Sequence, residues 1–238
     1  MRFRIDFAAS IPKDASAPDL NEDAWAHNDS QTCIGLSDGA SESFDSRTWA
    51  RSLVEKYVND QGVDSHWVEG VAREYAQSVD FDSLGWAAQR AFDRGSFATL
   101  LGLRLVENAT DLDVICVGDS MALHMRRGVV LATFPFTKPE DFNARPTLVS
   151  TKRDANTFLS EPGFFTRETW SVLPGDVIYA ATDAVAHWLL SEMSTEADTL
   201  QTLQELSLED EFSELVLELR AAHRMKLDDS TLLRLVVE

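Results

Sequence analysis

Apolar residues recur along this chain with two different periods, and the switches between them separate strands from helices. Residues 32–37 form a short apolar run that reads as a buried strand, stopped by Asp38-Gly39. Trp49, Ala50, Leu53, Val54, Tyr57 and Val58 then fall on one face of a helix that Asp45 or Ser46 can cap. Trp67, Val68, Val71, Ala72, Tyr75, Ala76 and Val79 repeat that spacing in a second helix, and a third is expected over 83–93, ended by Gly95.

The texture changes after Gly95. Residues 97–106 are rich in Leu, 108–111 (Asn-Ala-Thr-Asp) read as a turn, and 112–117 form an apolar strand ended by Gly118-Asp119-Ser120. Arg126-Arg127-Gly128 lies between apolar segments 121–125 and 129–134, a hairpin signal. Residues 135–165 are the least regular part, broken by Pro135, Pro139, Pro146 and Pro162, and read as a surface excursion. A second hairpin is expected from 169–173 and 177–181 around Pro174-Gly175-Asp176. Helices over about 184–193, 200–206 and 211–224 follow, then a last strand at 231–237. Strands grouped in blocks between helices, without strict alternation, predict antiparallel sheets covered by helices, an α+β layered sandwich rather than a doubly wound parallel sheet. With no Pro/Gly/Ser-rich linker, residues 1–238 read as one domain.

Charge narrows the partners. Forty acidic residues against 21 basic ones give a net charge of −19, a surface that repels nucleic acid and anionic lipid. No apolar run approaches the roughly 18 residues a membrane span needs, and the first residues do not read as a signal peptide, so a cytoplasmic location is expected. Cys33 and Cys116 sit inside apolar runs, outside any C-x-x-C spacing, and read as buried structural thiols. The five histidines are scattered, with no H-E-x-x-H pair, and no G-x-S-x-G elbow or phosphate-binding glycine loop occurs. The six tryptophans read mostly as core, and Arg126-Arg127 as a solvated turn.

The informative residues are aspartates. Asp38 and Asp183 end apolar strands, Asp119 sits in a turn after another, and Asp228-Asp229 precede the last strand. Glu22-Asp23 lead into the apolar stretch 24–26. Taken singly, an Asp before Gly or Ser is ordinarily a turn residue. Strand ends at one edge of a sheet can converge, however, and gathered carboxylates raise one another's pKa unless divalent cations offset their charge. Two such ions can also share and activate a water for attack on phosphorus.

The order of these segments resembles the metal-dependent type 2C (PPM) serine/threonine protein phosphatases, bacterial members especially, over nearly the whole chain. Asn21-Glu22-Asp23, Ser37-Asp38-Gly39, the Thr-containing 97–101, Val117-Gly118-Asp119-Ser120, Gly175-Asp176 with Thr182-Asp183, and Asp228-Asp229-Ser230-Thr231 are each similar to a motif of that family. The resemblance implies two antiparallel sheets flanked by helices, a four-layer sandwich, with two Mn2+ or Mg2+ ions in a cleft. Asp38 would bridge the ions, the Gly39 carbonyl would add a ligand, and Asp183 and Asp228 would complete one ion. Glu22 or Asp23 would hold the other, and Asp119 would help bind a third, weaker ion. Catalysis would rest on Asp38, Asp183 and Asp228 through a bridging hydroxide that attacks phosphoserine or phosphothreonine of a protein substrate.

The sequence also departs from the family. Pro18 stands where many members have the arginine that grips the substrate phosphate, Ala184 follows the third aspartate in place of Gly, and Asp229 replaces Asn. Residues 135–165 would take the place of the variable substrate-facing segment. The same pattern therefore allows two alternatives: a catalytically weak regulatory binding module, or a phosphatase for small phosphorylated metabolites.

Overall fold

Strands whose residues are apolar on both faces need cover on both faces, and the fold supplies it. A computed structural model describes residues 1–60, 63–107, 110–161, 166–193 and 199–238. The strands are β1 (Phe3–Ile11), β2 (Ala24–His27), β3 (Cys33–Ser37), β4 (Phe97–Ala98), β5 (Leu100–Leu105), β6 (Asp111–Val117), β7 (Met121–Arg126), β8 (Val129–Phe134), β9 (Val149–Ser150), β10 (Thr166–Ser171), β11 (Val177–Ala181) and β12 (Ser230–Val237). They form two five-stranded antiparallel sheets, in the orders β1-β12-β11-β7-β8 and β10-β6-β5-β3-β2, with β4 and β9 paired to one side. The helices are α1 (Ser46–Asp60), α2 (Ser65–Ser78), α3 (Trp86–Arg94), α4 (Asp183–Met193), α5 (Thr199–Glu205) and α6 (Glu209–Ala221).

Three apolar cores separate four layers. Along β11, Ile178 and Ala180 face the other sheet while Tyr179 and Ala181 face α4–α6. Along β6, Leu112, Val114 and Cys116 face the first sheet while Ile115 and Val117 pack under α1 and α2. This is the predicted α+β sandwich. Both cysteines are buried thiols, Cys33 under the helices and Cys116 between the sheets, and burial pushes the Cys33 thiol up to about 12.

Local readings of the helices hold closely. Asp45, one of the two expected caps, accepts from Thr48 N at 3.3 Å at the start of α1, and α3 ends at Gly95 but starts at Trp86, after a 3-10 turn at Phe81–Ser83. Three other readings need correction. Residues 166–171 and 177–181 are not a hairpin: β10 pairs with β6 in one sheet and β11 with β7 and β12 in the other, so Pro174-Gly175-Asp176 crosses between layers. Arg126 is not a free surface residue, since it donates twice to the buried Asp176 at 2.8 Å. Trp86 is 72% exposed rather than core. In the excursion, short 3-10 turns flank β9, while Pro162 and the turn residues Asn108 and Ala109 lie outside the described residues. Among the described residues no helix is long and apolar enough to cross a membrane.

Candidate functional site

The registers place the aspartate-bearing ends together. Ala24 pairs with Ser37, Leu36 with Leu101 and Leu100 with Val117, which sets Asp23, Asp38 and Asp119 at one end of their sheet. In the other sheet Ala181 pairs with both Met121 and Leu232, which sets Asp183 and Asp228 at one end as well. The two ends meet, since Thr182 and Thr231 of the second sheet donate to Asp23 Oδ2 of the first. The Asp38 carboxyl lies well above the usual carboxylate range because of burial and the charges of Asp23, Asp183, Asp119 and Asp228. Burial, with Asp229 and Asp183 nearby, pushes Asp23 up to about 8. Burial and Asp183 push Asp119 up to about 6 and raise Asp228.

Thr99, in the break between β4 and β5, positions two of these groups. Its N–H donates to the Asp38 carbonyl at 2.8 Å and its Oγ1 accepts from Asp38 N at 2.9 Å. The same hydroxyl contacts Ser120 Oγ at 2.9 Å, which links the Asp38 and Asp119 turns. Gly118 has φ +105° and lies against Thr99, where an added Cβ would come within 2.6 Å of Cγ2. Gly39 is packed on the start of α1, with room for no Cβ beside the Ser46 carbonyl.

The Glu22–Asp23 pair divides its work. Glu22 accepts from Ser46 on Oε1 and from Ser41 and Lys13 Nζ, each at 2.5 Å, on Oε2. Asp23 Oδ2 accepts from Thr231 at 2.6 Å and Thr182 at 3.0 Å, while its Oδ1 is buried without a hydrogen-bond partner. Asp183 is similar: Lys226 donates to Oδ2, and Oδ1 is buried without a partner. Arg220 braces the site from behind through the Pro12 carbonyl at 2.9 Å, the Asp228 carbonyl and Ser230 Oγ at 2.9 Å.

Two orphaned carboxylate oxygens amid three further carboxylates make an all-oxygen donor set that suits Mg2+ or Mn2+. Among the described residues no three carboxylate, imidazole or thiol side chains already stand in a chelating arrangement. Lys226 and the Thr182 and Thr231 hydroxyls hold some of the lone pairs instead.

Sequence reasoning missed Thr99, Thr182, Thr231, Lys13, Lys226 and Arg220. For the threonines a signal existed, since each stands within a motif segment. For the cations there was none.

No family model and no curated protein matches the sequence. Among solved structures, the fold is similar to that of the photosystem II phosphatase PBCP (TM-score 0.66, 16% identity, 99% of each chain covered). It is similar to the Mycobacterium tuberculosis serine/threonine phosphatase PstP/Ppp (TM-score 0.66, 14% identity, 100% of each chain). It is also similar to the PstP catalytic domain in complex with two manganese ions (TM-score 0.55, 16% identity, 98% of this chain and 97% of that one). The likeness to type 2C phosphatases therefore holds for the fold along essentially the whole chain.

Proposed function

We propose that this chain is a metal-dependent phosphatase that hydrolyses phosphoserine or phosphothreonine in protein substrates, as a single domain spanning 1–238. The supporting observation is the meeting of Asp23, Asp38, Asp119, Asp183 and Asp228 at one end of the sandwich, with partnerless buried oxygens on Asp23 and Asp183. Asp38, Asp183, Asp228, Asp23 and the Gly39 carbonyl would hold two Mn2+ or Mg2+ ions, with Asp119 beside a weaker third. When bound, the ions supply compensating charge and an activated water for in-line attack on phosphorus. Asp38, whose backbone Thr99 fixes on both sides, orients that chemistry. Asp23, held by two hydroxyls on one oxygen, would offer its other, partnerless oxygen to a cation. Glu22 serves as a brace, tied to Ser46, Ser41 and Lys13.

Hydrolysis of p-nitrophenyl phosphate with titrated Mn2+ tests the reading. Turnover should depend on Mn2+, vanish with EDTA, and fall at least about 10²-fold in kcat in Asp38→Asn, comparable to losing one major electrostatic stabiliser. Near wild-type turnover by the folded variant would sink it. Two observations favour a second reading, a regulatory module of low activity: the Lys226 ammonium is seated on Asp183, and Pro18 stands where the resembling family has a phosphate-gripping arginine. A folded, Mn2+-binding protein with no turnover of any phosphate ester would select that one.

A further inference from the structure

A cavity of about 590 Å³ opens between residues 40–43, the end of α3 and the segment 145–148. Ala40, directly after Asp38-Gly39, is fixed there by its N–H bond to the Phe97 carbonyl at 2.9 Å. Ser41 and Ser43 form a wall common to this cavity and a neighbouring one of about 440 Å³ that contains Glu22 and Lys13. The wall of the cavity thus begins one residue beyond Gly39, next in the chain to the proposed reaction centre.

Its lining does not match the rest of the surface. The protein carries −19, and its basic residues are largely engaged: Arg104 with Asp113, Arg126 with Asp176, Arg224 with Glu192 and Arg234 with Asp6. Arg94, from α3, and Arg145, from the excursion, both line the cavity, both are exposed, and neither has an ion pair or hydrogen bond among the described residues. Glu42 is the one carboxylate in the lining, so the cavity is net positive on a strongly negative molecule. Ala91, Phe97, Pro146 and Leu148 supply apolar wall in the same cavity as the two guanidinium groups.

Resting on the phosphatase reading above, we propose that Arg94 and Arg145 form a specificity subsite that takes an acidic side chain of the substrate peptide next to its phosphorylated residue. A guanidinium offers a planar fork that matches a carboxylate in two parallel hydrogen bonds. The overall charge of the protein repels an acidic segment, and two unpaired cations in one cavity offset that repulsion where the peptide must lie. Two cations are too few for a nucleic-acid backbone, whose affinity rests on many neutralised phosphates. The apolar wall suits the methylene stem of a glutamate.

Two phosphothreonine peptides that differ only in flanking Glu against Gln test the subsite. KM and kcat are measured with the Mn2+-loaded protein, and Kd is measured separately by fluorescence polarisation. The wild-type protein should favour the Glu peptide by about five- to tenfold in KM and in Kd, as two partly exposed ion pairs supply, with the preference shrinking as NaCl rises. Arg94→Glu/Arg145→Glu, shown folded by its melting curve, should abolish or invert the ratio. Arg127→Glu, at the far end of β7, should keep it. Equal Kd values for the two peptides, or a preference that survives in the double variant, would overturn the subsite. Absence of turnover on every phosphate ester would instead overturn the phosphatase reading, and the Kd ratio would still decide the subsite.

Discussion

The backbone N–H of Glu22 donates to Asp229 Oδ2 at 2.8 Å, a bond between segments 207 residues apart. The other carboxylate oxygen takes the Lys13 N–H at 2.7 Å, and Asp229 is 2% exposed. Its position next to Asp228 therefore serves the scaffold: Asp229 fastens the chain around Glu22-Asp23 to the start of β12.

Asp229→Ala leaves two amide donors without a carboxylate acceptor and should cost about 2–4 kcal/mol, since bonds to charged groups contribute about 1.5–3 kcal/mol each. Asp229→Asn keeps one acceptor and should cost less. Urea titrations of both variants check the order, and an Ala variant as stable as wild type would remove the brace.

On the proposed reading, Lys226 would compete with a cation for Asp183. Burial works against its charge, but the bond to Asp183, with Asp228 and Asp119 nearby, raises its pKa overall. Lys226→Met frees an oxygen of Asp183 and removes one competing positive charge, so the Kd for Mn2+ should tighten by roughly threefold, a modest factor because the ammonium is partly exposed. Weaker binding by calorimetry would mean that the lysine positions Asp183 rather than competes for it.

Mn2+ should stabilise the folded chain. A cation that binds only the native state adds RT ln(1 + [L]/Kd), about 2.7 kcal/mol at a hundredfold excess, or roughly 5–10 °C in Tm for a domain of this size. EDTA should reverse the rise, and Asp38→Asn or Asp183→Asn should blunt it. A melting curve unmoved by Mn2+ at fixed ionic strength would return the aspartates to the role of turn residues.

Gly118→Ala should disturb the site without touching a carboxylate. The added Cβ meets Thr99 at 2.6 Å and the backbone sits at φ +105°. Together these should cost about 1–3 kcal/mol in stability and weaken Mn2+ binding through the Asp38 turn. Unchanged Mn2+ affinity in the folded variant would separate Thr99 from the metal site.

Acid stability should depend on Asp176, at the opposite end of β11. Arg126, the Leu173 N–H and His124 outweigh burial and hold its carboxyl down to about 2. A depressed folded value stabilises above the unfolded value near 4, and that stability is lost as pH falls from about 4 to about 2. The contribution is about 2 kcal/mol at neutral pH. Asp176→Asn should be less stable at pH 7 and should lack this part of the acid limb in a pH series of melts.

What the sequence determined was local. Helix faces, the Gly95 stop and the run of apolar strands follow from periods of 3.6 and 2 within a few neighbouring residues. The placement of each aspartate beside a strand end is equally local, which is why the motif order was legible. Strand pairing was not. β1 alternates apolar and polar positions, yet its partner is β12 at the other end of the chain, across a bulge between Ile5 and Phe7. β10 and β11 have hairpin-like spacing, and only packing sends them into different sheets. The cations on Asp183, Asp176 and Glu22 come from residues 43, 50 and 9 positions away, respectively. Their partners are chosen by which strand ends the two sheets bring face to face. No residue type or spacing encodes that choice, because the energy that selects it lies in burying both faces of both sheets at once.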